Sequence, residues 1–129
     1  MKPNTQNWID ASDDDQDAAE HLFKKKMYLH WLFFCQQSIE KALKALYYEK
    51  YSKTPSRKHD IVALAEAADI FAELDDVRRG LFVSLSQYYI ESRYAEDRKE
   101  LLKNCTQAVA EDFLKKTGEV LQWLKNKLK

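Results

Sequence analysis

One helical segment of this chain carries more hydrogen-bonding and charged side chains than a bundle helix needs. Within residues 36–46, amide, acid and base groups alternate with apolar residues at helical spacing. At about 100° per residue, four of the polar side chains fall on one side of the helix, opposite an apolar stripe. This polar face consists of Gln37, Glu40, Lys41 and Lys44. Such groups can hold a phosphate or an acidic group of a partner protein.

Two interpretations of the polar face stay open. In the first it is a solvated surface, supported by a Glu40 to Lys44 pair at i,i+4 that is worth roughly 0.3–0.5 kcal/mol. In the second it is a recognition surface. Phe33 and Tyr48 favour the second interpretation, because their rings bracket the polar groups.

The residues His59 and Asp60 form a second candidate site. They follow Pro55 and open a predicted short helix, where an aspartate is a suitable cap. This capping role alone explains Asp60. His59 is either a loop residue or a binding group.

A third cluster, residues 88–94, places three tyrosines around Arg93, among them Tyr88 and Tyr94. The guanidinium can stack on a ring while its fork contacts a phosphate or a carboxylate. The alternative is an ion pair from Arg93 to a nearby acid, with the tyrosines at the rim of the core. Clusters of this composition are also typical of protein interfaces.

The composition excludes several classes of function. The chain has 129 residues, of which 45% are hydrophobic and 33% charged, as in an ordinary soluble domain. Acidic and basic residues number 21 each, so no global field attracts duplex DNA or an anionic membrane. No apolar run is long enough to cross a bilayer, and we therefore expect a cytoplasmic protein. Cys35 and Cys105 lie on apolar stripes and are expected to be reduced.

The usual catalytic signatures are missing from the sequence. Gly80 and Gly118 are isolated, which excludes a glycine-rich phosphate loop. The three histidines are scattered, and the G-x-S-x-G motif of a nucleophile elbow does not occur. We therefore predict no catalytic residue, no metal and no cofactor.

The spacing of apolar residues predicts an all-α protein, an up-and-down bundle of four main helices and one short helix in a single domain, residues 1–129. The first helix is expected to start near Thr5 as its cap. The others are predicted at about 28–51, 60–68, after Asp75 and Asp76, and 97–128 as one long helix. Val77, Leu81, Leu85 and Tyr88 are expected to point inward from the fourth helix, and Leu102 from the last.

Four segments of this chain together resemble the HEPN domain family (higher eukaryotes and prokaryotes nucleotide-binding). They are Trp8 with Asp15, residues 36–44, His59 with Asp60, and residues 88–94. The resemblance implies a bundle of four to five helices that often dimerises. It also implies that prokaryotic members are commonly encoded beside, or fused to, a minimal nucleotidyltransferase.

Many members of this family are ribonucleases that use an Arg followed by a His after four to six residues, and this chain departs from that pattern. The last histidine is His59, and no arginine has a histidine at the required distance downstream. Losing such a proton-transfer group typically costs a factor of about 10²–10⁴ in rate. The resemblance is therefore to the non-nuclease branch.

The expected function is a non-catalytic module that binds a nucleotide or another phosphate-bearing ligand, forms a homodimer and partners a minimal nucleotidyltransferase in a toxin-antitoxin-like or accessory system. Two alternatives stay open. One is an atypical ribonuclease that uses His59 and Arg93, and the other is a structural module whose polar face forms a dimer seam. The predicted ligand-binding residues are Gln37, Glu40, Lys41, Lys44, His59, Asp60, Tyr88, Arg93 and Tyr94.

Overall fold

A computed structural model describes residues 1–91 and 94–129, of which 95 and 97 are described by their backbone alone. The elements are α1 Pro3–Lys24, α2 Tyr28–Tyr51, α3 Ile61–Ala67, a 3₁₀ turn Phe71–Glu73, α4 Asp76–Glu91, α5 Ala95–Asn104 and α6 Gln107–Asn126. The described ranges contain helices and no strand, which confirms the prediction of an all-α bundle. None of these helices is both long and apolar enough to cross a bilayer.

Helix α1 begins two residues earlier than predicted. Pro3 occupies its first turn, where the missing N–H costs nothing. Thr5 lies inside the helix and is buried, so the prediction that it caps α1 is wrong. Its hydroxyl instead donates to Glu49 Oε2 at 2.6 Å, which ties α1 to α2. A hydrogen bond from the Lys2 backbone N–H, followed by that from Thr5, holds the pKa of Glu49 below its usual range.

The second helix is the centre of the bundle and packs against α1, α3, α4 and α6. Its predicted apolar stripe is buried, with Leu32, Ile39 and Leu43 at most 3% exposed. Small residues let α1 approach closely, and the Ser12 hydroxyl donates to the Ser38 carbonyl at 2.6 Å. The core is therefore built around α2, whose buried residues lie on nearly all of its sides.

The inward face of α4 was predicted only in part. Leu81 and Leu85 are buried as expected, but Val77 is 61% exposed. Val77 lies in the first turn of α4 and shares a face with Leu81. Its position near the end of the helix, rather than its orientation, therefore explains the exposure.

The long final helix predicted at 97–128 is instead two helices. The chain leaves helical geometry at Cys105, and the Thr106 hydroxyl caps α6 by accepting from the Val109 N–H at 3.3 Å. Leu102, expected in the core, is 47% exposed. The prediction failed because threonine is compatible with a helix interior as well as with a cap.

Both cysteines are free thiols buried in the core. Burial raises the pKa of Cys35 to about 12. Burial also raises the pKa of Cys105. The thiolate is the reactive form, so both side chains serve as small hydrophobes in the folded protein.

We expect Cys35 to resist alkylation in the native protein at about pH 8 and to react once the chain is unfolded. The ordinary pKa near 8.5 returns on unfolding, and the thiolate fraction then rises steeply. Intact-protein mass spectrometry after iodoacetamide treatment, with and without urea, measures both states. Rapid modification of native Cys35 would contradict its burial.

Candidate functional site

A buried carboxylate on α2 lies at the centre of the candidate site and contacts two basic side chains. The side chain of Glu40 is 4% exposed. Lys44 Nζ donates to Glu40 Oε2 at 3.1 Å from the next turn of α2. His59 Nδ1 donates to Glu40 Oε1 at 2.8 Å from the loop before α3. An isolated buried carboxylate would be strongly destabilising, so these partners are required by the fold.

Helix α1 covers the polar face of α2. Lys41 Nζ lies 2.6 Å from Asp15 Oδ2, and Lys44 Nζ lies 5.5 Å from the centre of the Trp8 ring. Lys44 is almost as buried as Glu40. The face is therefore not a solvated surface, and its buried Glu40 and Lys44 do not form the open recognition surface of the second interpretation either.

His59 is held in place although half of its side chain is exposed to solvent. Its ring nitrogen Nδ1 is bound to Glu40, and its carbonyl oxygen accepts from Gln36 Nε2 at 2.8 Å. Asp60, the next residue, accepts from the Val62 and Ala63 N–H groups and thereby caps α3, as predicted. A carboxylate on Nδ1 fixes the ring orientation and the tautomer. Within residues 1–91 and 94–129, Nε2 has no hydrogen-bond partner.

A cleft beside His59 lies between the start of α3 and the second half of α4. We call it the ring cleft; it has a volume of about 180 Å³ and is lined by Gln36, His59, Asp60, Ser86, Tyr89 and Ile90. The ring of Tyr89 stacks on Phe33 at 5.6 Å and lies 6.0 Å from the imidazole of His59. The wall also contains two buried oxygens, Gln36 Oε1 and Ser86 Oγ, without a hydrogen-bond partner in the described part of the chain.

The other predicted ligand-binding residues do not line the ring cleft. Gln37 is half-buried on α2, and Tyr88 packs edge-on against Phe113 of α6 at 5.6 Å. Burial raises the pKa of Tyr88, which keeps its phenol neutral. Tyr94 is exposed. Arg93 lies outside the described residues.

A larger cleft of about 400 Å³ lies between α4 and α5. The charged residues on its described wall are Glu91 and Glu100, while Tyr88 and Leu101 are among its other lining residues. Two carboxylates repel a phosphate-bearing ligand. Size alone would favour this cleft, but its charge does not suit an anion.

The model of the HEPN domain family matches residues 5–127 of this chain. The chain belongs to the HEPN domain family. This is a family of nucleotide-binding modules. No curated protein matches the sequence.

A solved structure supports the fold of this HEPN domain. The protein TT1696 from Thermus thermophilus superposes with a TM-score of 0.81 at 20% sequence identity, covering 98% of this chain and 99% of the other. At this identity the likeness establishes the fold alone.

Sequence reasoning missed four residues that line the ring cleft of this HEPN domain, namely Gln36, Ser86, Tyr89 and Ile90. Gln36 carried a signal, since it is one helical turn from Ile39 on the apolar side of α2 and is fully buried. A polar residue at a core position usually has a specific partner. Ser86, Tyr89 and Ile90 carried no comparable signal, because the packing of α4 decides their direction.

We expect Glu40→Ala to destabilise the fold by roughly 3–5 kcal/mol, because it leaves the Lys44 ammonium buried without a counter-charge. The exposed pair Asp112 and Lys116 provides a matched control, since it has the same acid-to-base i,i+4 spacing. Asp112→Ala is expected to cost less than about 1 kcal/mol. Urea unfolding measures both free energies.

The double variant Glu40→Met with Lys44→Met removes both charges together. We expect it to recover most of the stability lost in Glu40→Ala, because apolar residues replace the buried pair. Equal losses in Glu40→Ala and Asp112→Ala would show that the Glu40 pair is not desolvated.

Proposed function

We propose that this HEPN domain is a non-catalytic nucleotide-binding module in which the ring cleft receives the base or sugar ring of the ligand. The observation that carries the proposal is the ring cleft itself, with an oriented histidine on its wall. Membership of a nucleotide-binding family agrees with this assignment.

The size of the ring cleft favours one ring rather than a whole nucleotide. Sites for complete small molecules usually measure about 300–1,000 Å³, and the ring cleft has about 180 Å³. The rings of His59 and Tyr89 lie on the wall of the cleft, and contact of a base with aromatic rings is worth roughly 1–3 kcal/mol. Gln36 and Ser86 add polar side chains to the same wall.

A second candidate function is favoured by the pairing of His59 with Glu40. A histidine that donates through Nδ1 to a carboxylate can use Nε2 to accept a proton from a substrate. This is the arrangement that an atypical ribonuclease would require. We rank it second because the Arg-x(4–6)-His pattern of the nucleases is missing from the sequence.

The proposal extends to a protein partner, a minimal nucleotidyltransferase, and to a homodimer in a toxin-antitoxin-like or accessory system. These parts rest on the family resemblance. We expect the tagged chain to copurify with the small nucleotidyltransferase encoded nearest to its own gene when the two are expressed together. Separate elution of the two proteins in size-exclusion chromatography would contradict the partnership.

We expect isothermal calorimetry to detect binding of at least one of ATP, GTP, CTP and UTP. Tyr89→Ala and His59→Ala should each weaken that binding by roughly tenfold, because each removes a ring from the ring cleft. Tyr51→Ala is the control, since Tyr51 is an exposed aromatic residue bonded to Asp69 and lies outside the ring cleft.

Failure of all four nucleotides to bind the wild-type protein would overturn the proposal. The same preparation should leave a single-stranded RNA oligonucleotide intact. Cleavage of that RNA by the wild type, lost in His59→Ala, would replace the binding module with the ribonuclease.

A further inference from the structure

A basic loop lies next to the ring cleft. It consists of residues 52–60 and carries Lys53, Arg57 and Lys58, with no acidic residue before Asp60. All three basic side chains are exposed, and none makes an ion pair with a described residue. The whole chain has a formal net charge of zero, so this loop is a local surplus of positive charge. Exposed cations clustered on one short segment can attract phosphates and hold them through charge-assisted hydrogen bonds.

Contacts on both sides of these cations hold the basic loop against the bundle. Pro55 is buried, and the Ser56 hydroxyl accepts from the Lys58 backbone N–H at 3.2 Å. At the end of the loop, the His59 carbonyl is bound to Gln36 and its ring to Glu40. The backbone that carries the two cations before His59 therefore has a defined position at the rim of the ring cleft.

Chain geometry brings Arg57 and Lys58 within reach of a ligand in the ring cleft. Successive Cα atoms are about 3.8 Å apart, so Lys58 and Arg57 start about one and two such steps from His59. Their flexible side chains are long enough to bridge that distance. Asp60 is the opposing charge on the cleft wall, where its Oδ1 already accepts two backbone hydrogen bonds. The carboxylate of Glu40 is already occupied by Lys44 and His59.

The ring cleft is large enough for the base or sugar ring of a nucleotide but not for its phosphates as well. A space of about 180 Å³ admits a ring and leaves the phosphates outside. The basic loop leads directly into His59 and Asp60 on the cleft wall, so phosphates outside the cleft on that side would lie near Arg57 and Lys58. We propose that Arg57 and Lys58 hold the phosphate chain, so that this protein selects nucleoside di- and triphosphates over monophosphates and nucleosides. This inference rests on the proposed function and adds the class of ligand to it.

The test is calorimetry with adenosine, AMP, ADP and ATP, or the equivalent series of the base that binds best, at about 50 mM and about 500 mM salt. We expect affinity to rise roughly tenfold or more from monophosphate to triphosphate at low salt, through charge-assisted hydrogen bonds. High salt should reduce that gain. The double variant Arg57→Gln with Lys58→Gln should remove most of it and leave nucleoside affinity unchanged.

Lys24→Gln with Lys25→Gln is the matched control. This control removes the same charge from two adjacent exposed residues at the end of α1. The basic loop begins near the opposite end of that helix, where Lys2 Nζ donates to Ser52 Oγ at 2.5 Å. We expect it to keep the triphosphate preference. Circular dichroism and thermal melting of both double variants verify that they are folded.

The outcomes separate this inference from the proposed function. Equal binding of nucleoside and triphosphate, or a preference that survives in Arg57→Gln with Lys58→Gln, overturns the phosphate role and leaves nucleotide binding intact. Inorganic triphosphate that binds as tightly as the nucleotide also overturns the inference, because the ring would then contribute nothing. Failure of every member of the series to bind overturns the proposed function itself.

Discussion

The need to neutralise one buried carboxylate organises this protein. Glu40 is on the central helix, where water cannot solvate its charge, and the fold must supply partners for both oxygens. Lys44 comes from the same helix, and His59 comes from the loop before α3. Trp8 of α1 in turn lies against Lys44. Helix α1, helix α2 and the loop before α3 are thus linked through one charge. The ring cleft lies beside the hydrogen bond between His59 and Glu40.

Such a cluster is poorly explained by stability alone. A buried ion pair roughly balances its desolvation cost, and an apolar pair of similar size is often as stable or more stable. The bundle already buries a large apolar core around Trp31, Phe82 and Leu121. What the charged cluster adds is a fixed geometry. It orients the imidazole of His59 and positions the basic loop, which an apolar contact would do less specifically.

The neutral overall charge and the local basic loop are compatible. A net charge of zero gives no long-range attraction to a polyanion. A surplus of positive charge on a few adjacent residues acts within about 10 Å, the screening length at ordinary ionic strength. A small ligand that enters the ring cleft falls within this range, whereas duplex DNA would require a wider basic surface.

The sequence by itself determined the helical class, the extent of α2 and α3, the buried stripe of α2 and the cap at Asp60. These features are local, because periodicity and capping depend on residues within one or two turns. Only the tertiary structure decided that Glu40 and Lys44 are buried, that His59 and Tyr89 lie together, and that the last predicted helix divides. A polar helical face has the same spacing whether water or another helix covers it, and a loop can bring distant residues together without any periodic signal. The choice between those outcomes depends on contacts between α1, α2, α4 and the basic loop, which no short segment of the sequence contains.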